Sequence, residues 1–489
     1  MEEIMTGILP NTNFTNFHKV LNMESLNPRI KGLEYATTVT ILTAEKLEKD
    51  LREGKKLSFN KITKATLGDC HAMGQKPITF VRQLLAACSY PTLIETNIFS
   101  WDVNKRAHQI LSTINNSIGC YSVAAGLPLI KEHIAEFIQK RDGYHCNPAH
   151  LFITNGASAA IKLILEFFSQ ENEKVGVMVP VPQYLLYAAT IIEFGMKQVF
   201  YYLNEEKNWT LEVSELRKSL LEARKTCSVK CLCVINPGNP TGQVLSYNTI
   251  KEVLEFAIEE GLFIIADEVY QENIYDGSTF HSFKKVLMDM GPVAEGFQLA
   301  SLHSCSKGFF GECGLRAGYA EIVGVSDEVL TQLTKMQFTH LGANLCGQIV
   351  LDCLVHPPQK GEPSYELFLK EKMDILSSLN KRANLVYSTL NTIDGITCNK
   401  IQGALYAFPK ITIPQKAIDK AKLLGLTPDS FYCLKLIEET GICTYEGSIF
   451  YQKEGTFHLR ITILLSEDDL RVMLKSFREF HLRFLEHYN

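Results

Sequence analysis

Short apolar runs alternate with longer amphipathic segments through the middle of this 489-residue chain. Five runs have the length and composition of buried strands: LFIT (151–154), VGVMVP (175–180), CLCVIN (231–236), LFIIAD (262–267) and the run that ends at LHS (302–304). Helical patterns lie between them, for example over residues 250–260. Strands that alternate with helices predict an α/β fold built on a mostly parallel, doubly wound sheet.

The two ends of the chain differ from its middle. Residues 1–120 and 361–489 are richer in helical patterns, and PPQKGEPS (357–364) is typical of a linker. We therefore predict a large central domain over 121–360. A smaller α/β domain is expected beside it, formed by part of 1–120 and by 361–489.

The charge balance gives no indication of a broad nucleic-acid or membrane surface. Lys and Arg total 49 and Asp and Glu total 54, a net charge of −5. The 14 cysteines are scattered without the spacing of a zinc site, which favours a reducing compartment and no metal. Residues 1–14 lack the pattern of a secretion signal, and no apolar stretch is long enough to span a membrane. We expect a cytoplasmic protein, with the mitochondrial matrix left open.

Lys307 follows the last predicted strand directly, in the turn of SLHSCSKGFFGECGLRAGY (301–319). A lone lysine in a loop is most often a solvated cation. A partly desolvated lysine can instead act as an amine nucleophile towards a carbonyl carbon. Ser304, Ser306 and Arg316 lie in the same stretch and suit an anionic phosphate, Arg316 through its planar fork.

Polar side chains also follow two other predicted strands. Asp267 ends LFIIAD, and Tyr270 comes three residues later. They are either a helix cap and a packed tyrosine, or partners for the protonated nitrogen and the oxygen of a ring. Asn239 lies in the turn of VINPGNPTGQV (234–244), which needs no function but would place an amide at the mouth of the sheet. Ligands of such sheets bind at the carboxyl ends of the strands, so we expect these residues to lie together.

A candidate anion site lies in TNGASAAI (154–161), where Gly156 and Ser158 precede a predicted helix. Neither GxxxxGK[ST] nor GxGxxG is present there, so a phosphate bound at this turn belongs to a group other than a nucleotide. In VPVPQYLLY (179–187), Tyr184 either packs in the core or stacks on a planar ligand.

Together, these segments resemble the fold-type I pyridoxal-phosphate aminotransferases, and among them the alanine aminotransferase family. The resemblance extends from LNPRIKGLEYA (26–36) to the end of the chain. The units NPTG, DEVY and SKG are shared by many aminotransferases, whereas MGQKPITF and SKGFFGECG are more specific to the alanine group.

The resemblance implies a homodimer with pyridoxal 5'-phosphate as cofactor. It also implies reversible transfer of the amino group of L-alanine to 2-oxoglutarate, giving pyruvate and L-glutamate. Lys307 would form the Schiff base with the cofactor and move the substrate proton. Burial and the cationic environment of the cofactor would help to keep this amine neutral.

Further roles follow from the same resemblance. The expected cofactor contacts are Asp267 at the ring nitrogen, Asn239 and Tyr270 at the ring oxygen, Tyr184 on the ring face, Ala157, Ser158, Ser304 and Arg316 at the phosphate, and Tyr121 at the phosphate across a dimer interface. Arg460, with Asn239 beside it, would bind the substrate through its α-carboxylate.

Three stretches depart from the family pattern. Leu185 stands where the family has proline, and HLGANLCGQ (340–348) lacks the usual Pro- or Ser-rich form. The family's Pro-Gly-Ser-x-Phe-Gly loop is EGSIFY (446–451), in which a tyrosine replaces a glycine. Two alternatives therefore stay open: a pyridoxal-phosphate aminotransferase or lyase that acts on a different amino acid, and a weakly active paralogue with a binding role.

Overall fold

The computed structural model describes residues 21–33, 38–275 and 277–489. Its centre is a seven-stranded sheet, in the spatial order Leu151–Thr154, Gly318–Val323, Leu299–Ser304, Phe263–Asp267, Ser228–Ile235, Val175–Val181 and Lys197–Tyr202. Gly318–Val323 runs antiparallel to both of its neighbours, and the other neighbouring pairs are parallel. The predicted α/β fold with a mostly parallel sheet is therefore confirmed.

All five predicted strands are present, but two strands of the sheet were missed. Lys197–Tyr202 is an edge strand that begins with two polar residues, so its apolar run is short. Gly318–Val323 contains Glu321, a charge that argues against a buried strand in sequence. The structure explains this charge, because Glu321 forms a buried ion pair with Lys284.

Helices cover both faces of the sheet. Alternate side chains of Ser228–Ile235 point to opposite faces, with Cys231 and Cys233 in one core and Leu232 and Val234 in the other. The first core is closed by helices Ala157–Phe168, Leu185–Glu193 and Asp327–Thr339, and the second by Val213–Ala223, Tyr247–Glu260 and Phe283–Asp289. Tyr247–Glu260 contains the helix predicted over 250–260.

Two further cores lie beside the sheet. Helices Thr79–Ser89 and Trp101–Ser112 pack with Pro128–Asp142 and Leu345–Val355, so much of segment 1–120 contacts the central segment. The C-terminal core contains helices Tyr365–Leu390, Gln415–Leu423, Pro428–Thr440 and Glu467–Tyr488. Residues 357–364 connect Leu345–Val355 to Tyr365–Leu390 without helix or strand. The domain boundaries at 120 and 360 stay a prediction.

The remaining elements are short or lie at the periphery. The other helices are Pro28–Lys31, Val39–Arg52 and Thr92–Glu95, with single turns at Pro148–His150, Glu205–Lys207, Gly291–Ala294, Cys313–Leu315 and Gly447–Phe450. Short strands outside the large sheet are Thr63–Lys64, Ile396–Thr397, Tyr406–Ala407, Lys410–Ile411, Ile442–Cys443, Tyr445–Glu446 and Leu459–Thr462.

Some expectations from the sequence concern residues that the structure does not describe. Residues 1–20, on which the statement about a secretion signal rests, and residues 34–36 of the string at 26–36 lie outside the described residues. Within the described ranges, no helix is long and apolar enough to cross a membrane. The same residues contain no cluster of three or more His, Cys, Asp or Glu side chains that could hold a metal ion.

The buried ion pair between Lys284 and Glu321 yields a test of the sheet. Glu321→Gln leaves the Lys284 charge buried without its counterion, so we expect the apparent melting temperature to fall by roughly several degrees. Asp374→Asn is the matched control, since it breaks the exposed ion pair with Lys370. Thermal melting followed by circular dichroism should show little change for Asp374→Asn. Equal melting temperatures for the two variants would contradict a stabilising role for the buried ion pair between Lys284 and Glu321.

Candidate active site

A cavity of about 340 Å³ opens at the carboxyl ends of the parallel strands. Every site residue predicted from the sequence lines this cavity except Tyr121. They come from segments far apart in the chain: Ala157, Ser158, Tyr184, Asn239, Asp267, Tyr270, Ser304, Lys307, Arg316 and Arg460. The fold therefore brings the predicted residues together around one space.

Lys307 lies in the turn that follows the strand Leu299–Ser304. Its Nζ donates a hydrogen bond to the carbonyl oxygen of Gly68 at 2.7 Å and lies 5.9 Å from the ring centre of Tyr270. Burial lowers the pKa of Lys307, but interactions with groups such as Tyr406 and Cys313 outweigh burial and raise it above its usual value. Burial thus acts in the expected direction, towards a neutral amine, but in the chain alone the other interactions outweigh it.

Asp267 is the last residue of the strand Phe263–Asp267 and is 3% exposed. Its Oδ2 accepts a hydrogen bond of 3.2 Å from the hydroxyl of Tyr187, while Oδ1 is buried and has no partner among the described residues. Burial raises the pKa of Asp267 to about 6. A buried carboxylate with one free oxygen is suited to a cationic hydrogen-bond donor.

An anion pocket lies at the start of the helix Ala157–Phe168. Gly156 precedes the helix with a φ of 85°, and a Cβ there would lie 2.5 Å from the guanidinium of Arg316. Arg316 donates to the hydroxyl of Ser158 at 3.0 Å, and Ser304 lines the same cavity. Free N–H groups of a helix start, an arginine and hydroxyl groups together suit a phosphate.

Arg460 lies on the strand Leu459–Thr462 and is 8% exposed. Its guanidinium donates to the carbonyl oxygen of Thr66 at 2.9 Å and to Oδ1 of Asn239 at 3.4 Å. The ring centres of Tyr406 and Phe450 lie 4.2 and 5.0 Å from the guanidinium carbon. Nε is buried without a partner in the described part of the chain. The guanidinium is thus held in place with donor capacity left for a carboxylate.

Asn239, Tyr270 and Tyr184 complete the wall of the cavity. Asn239 and Tyr270 are buried, and burial raises the pKa of Tyr270 well above its usual range, so its phenol stays neutral. Tyr184 caps the helix that Leu185 begins, and it is partly exposed. Proline is accepted at the first position of a helix, so Leu185 and the family's proline are both compatible with this helix start.

Tyr121 is placed differently from the other predicted residues. It is 81% exposed and does not line the cavity of its own chain. Its neighbouring segment is held by Gln348, whose side chain accepts from the backbone N–H of Leu127 and donates to the hydroxyl of Ser122. Gln348 belongs to the divergent stretch 340–348, so this stretch still supports the segment that contains Tyr121.

The divergent loop at 446–451 does not line the cavity itself, but its Phe450 packs against Arg460, which does. Glu446 is buried and accepts a hydrogen bond from Ser430, and Gly447–Phe450 forms one helical turn. Tyr451 follows with φ 59° and ψ 39°, the left-handed conformation that glycine adopts without cost. The tyrosine at the family's glycine position is therefore strained, by about 1 kcal/mol.

Sequence reasoning missed several residues of the cavity. Gly68 and Asp69 line the cavity. They lie in the LGDC stretch, which the sequence marks only as part of the family resemblance and not as a site. Cys313 and Tyr406 also line the cavity. Tyr406 lies in the apolar stretch GALYAF, where nothing separates it from a core tyrosine. A side chain at Gly68 would overlap the hydroxyl of Tyr406, and this contact appears only in three dimensions.

Comparisons with known proteins identify the family of this chain. Residues 85–477 match the family model described as aminotransferase class I and II. "Alanine aminotransferase 2-like" of Danio rerio is 48% identical over 96% of this chain and 87% of its own. "Alanine aminotransferase 1" of Homo sapiens is 47% identical over 96% of both chains.

A solved structure shows the same fold. It is that of an alanine aminotransferase from Pyrococcus furiosus, with a TM-score of 0.73 and 22% identity, over 94% of this chain and all of that chain (100%). The chain therefore belongs to the class I and II aminotransferases, and within them to the alanine aminotransferase family, which confirms the family predicted from the sequence.

The backbone of Tyr451 can be tested without any ligand. Tyr451→Gly and Tyr451→Ala both remove the ring, but only alanine keeps a Cβ in the left-handed conformation. We expect the glycine variant to be the more stable of the two by about 1 kcal/mol, seen as a higher melting temperature. An alanine variant as stable as the glycine variant would show that the left-handed conformation is absent in solution.

Proposed function

We propose that this chain is a pyridoxal-phosphate-dependent alanine aminotransferase that transfers the amino group of L-alanine reversibly to 2-oxoglutarate, giving pyruvate and L-glutamate. The main support is that one cavity contains an amine, a buried carboxylate, an anion pocket and a held arginine. Membership of the aminotransferase family supports the reaction class, and alanine as the amino donor is supported by relatives at 45–48% identity that are named alanine aminotransferases.

The residues present fit pyridoxal 5'-phosphate. The free oxygen of Asp267 is placed for a protonated ring nitrogen, and Gly156 leaves room for Arg316 at the helix start, where a phosphate would bind. When bound, the cofactor supplies an electron-accepting ring for the charge left at the substrate α-carbon. The other contacts in this proposal are Asn239 and Tyr270 at the ring oxygen, Tyr184 on the ring face, and Ala157, Ser158 and Ser304 at the phosphate.

Lys307 is the proposed catalytic base. Its Nζ lies inside the cavity, within hydrogen-bond distance of the Gly68 carbonyl oxygen, where it would take the proton from the substrate α-carbon. An amine accepts a proton only when it is neutral, and in the chain alone the pKa of Lys307 lies above its usual value. Positive charge in the cavity lowers the pKa of a neighbouring amine, so we expect Lys307 to act as a base only in the loaded protein.

Arg460 is the proposed binding group for the α-carboxylate, with Asn239 beside it. Its two contacts with Thr66 and Asn239 fix the guanidinium, and the aromatic rings of Tyr406 and Phe450 exclude water from its faces. A planar guanidinium that is already held in place loses little entropy when it binds a carboxylate at two points.

One observation favours a second candidate, an aminotransferase or lyase that acts on a different amino acid. Phe450 packs against Arg460 and matches the family pattern, but the departures Glu446 and Tyr451 flank the turn that carries it, so they could shift this ring relative to the bound substrate. The other alternative, a weakly active paralogue with a binding role, is disfavoured. Lys307, Asp267, Asn239 and Arg460 line one cavity in an arrangement that a binding role does not require.

We also propose a homodimer. Tyr121, Val123, Phe338 and Leu341 are exposed apolar side chains, and their two segments meet where Gly342 packs against the backbone of Val123 and Ala124. We infer that these four side chains form one apolar patch. Exposed apolar patches of this kind are typical of subunit interfaces. A second copy seated there would cover the patch and would allow Tyr121 to reach the phosphate pocket of the other subunit.

The remaining expectations concern partners and location. The cavity of about 340 Å³ supports small-molecule substrates, and the net charge of −5 disfavours nucleic acid. A cytoplasmic location stays a prediction, with the mitochondrial matrix as the alternative.

The half-reaction with L-alanine tests the proposed function. Purified protein with pyridoxal phosphate should show a visible absorption band that bleaches when L-alanine is added without any keto acid, with release of pyruvate. Lys307→Ala should lower turnover roughly a thousandfold, since it removes the base, whereas Lys285→Ala removes an exposed lysine outside the cavity and should not. A band that L-alanine leaves unchanged while another amino acid bleaches it would favour the second candidate. Absence of any band would contradict the proposal that pyridoxal phosphate is the cofactor.

Subunit complementation tests the role of Tyr121. Tyr121→Ala and Lys307→Ala chains should each be nearly inactive. When the two are co-expressed, each mixed dimer regains one site with both residues intact, so activity should return to about a quarter of the wild-type level. If Tyr121 served the cavity of its own chain, the mixed dimers would contain no intact site and would stay inactive.

A further inference from the structure

Among the described residues, Tyr187 is the one side chain that hydrogen-bonds the carboxylate of Asp267. Oδ2 accepts the hydroxyl hydrogen of Tyr187 at 3.2 Å, and Oδ1 has no partner among the residues that the structure describes. Asp267 itself lines the cavity, whereas Tyr187 does not. The two oxygens therefore differ: Oδ2 accepts a hydrogen bond from the protein, and Oδ1 is available to accept one from a ligand in the cavity.

Tyr187 is fixed by its surroundings. It lies in the helix Leu185–Glu193, is fully buried, and packs in the core beneath the sheet with Ile161, Cys233 and Ile235. Burial raises the pKa of its phenol well above the usual range, so the hydroxyl remains a neutral donor. A donor with no freedom to move restricts the side chain that accepts from it.

We infer that Tyr187 is a positioning residue for the cofactor: its hydroxyl fixes the orientation of Asp267, so that the free oxygen faces the protonated ring nitrogen. This inference rests on the role of Asp267 in the proposed function. Tyr187 follows Tyr184 by three residues in VPVPQYLLY, but the sequence offered no reason to separate it from a core tyrosine.

The hydrogen bond also keeps Asp267 ionised. Burial raises the pKa of this carboxyl, and the backbone N–H of Val269 and then the Tyr187 hydroxyl act against that rise. The other titratable groups that face Asp267 are Lys307 on the turn after the neighbouring strand, which lowers its pKa, Cys233 on the adjacent strand and Tyr184. Without the hydroxyl, the pKa of Asp267 rises further, and the carboxyl is protonated at a higher pH.

Tyr187→Phe removes only the hydroxyl and is the test variant. We expect the dissociation constant of pyridoxal phosphate, measured by equilibrium dialysis with the full chain freed of cofactor, to rise about tenfold, since a hydrogen bond to a charged group is lost. The pH below which binding weakens should also move upward by roughly one unit, because Asp267 must be ionised to hold a cation.

Tyr201→Phe is the matched control. Tyr201 is also fully buried, and its hydroxyl donates to the backbone carbonyl of Cys233 at 2.7 Å rather than to Asp267. Its loss should lower the melting temperature about as much as the loss at Tyr187, but should leave the dissociation constant and its pH dependence unchanged. Equal changes in binding for the two variants would show a purely structural role and overturn the inference.

A double-mutant cycle tests whether Tyr187 affects cofactor binding through Asp267. If Tyr187 acts through Asp267, then Tyr187→Phe should change cofactor binding little when Asp267→Asn is already present. A full tenfold loss in that background would contradict a role through Asp267. This outcome is distinct from failure of the proposed function. If the proposed function is wrong, the wild-type chain does not bind pyridoxal phosphate at all. If only the role of Tyr187 is wrong, the wild-type chain binds it, but the effect of Tyr187→Phe does not depend on Asp267.

Discussion

The parallel strands of the sheet all end at the same edge, and this is the constraint on which the site depends. Asp267 ends one strand, Ser304 ends its neighbour, and Lys307 follows in the next turn. The antiparallel strand Gly318–Val323 returns beside them and brings Arg316 to the start of the helix Ala157–Phe168. Residues more than a hundred positions apart thus meet because the strand ends are adjacent in space.

The charged groups of the cavity are stabilised only in part by the protein. Asp267 keeps one oxygen without a partner among the described residues, and in the same set Nε of Arg460 has none. Burying such groups costs free energy unless a partner is supplied. In the proposed function a cationic ring would supply the partner for Asp267 and a substrate carboxylate the partner for Arg460, and their binding free energy would offset the cost of the site.

The sequence allowed the fold class and most of the cavity to be predicted, since strand ends that carry Asp267, Lys307 or Asn239 are visible as patterns. The rest depends on contacts between distant segments. Tyr187 and Tyr406 look like core tyrosines in sequence, and only the fold shows that one holds Asp267 and the other covers Arg460. The strand with Glu321 was missed because its charge is paired with Lys284, which lies in a different segment.

The claim that Asp267 binds a cationic ring can be tested directly with a cofactor analogue whose ring nitrogen is replaced by carbon. The wild-type chain should bind pyridoxal phosphate at least about tenfold more tightly than this analogue, because only the cofactor can carry a protonated nitrogen opposite Asp267. Asp267→Asn should bind both compounds with similar dissociation constants. A wild-type chain that binds the two compounds equally would contradict the account.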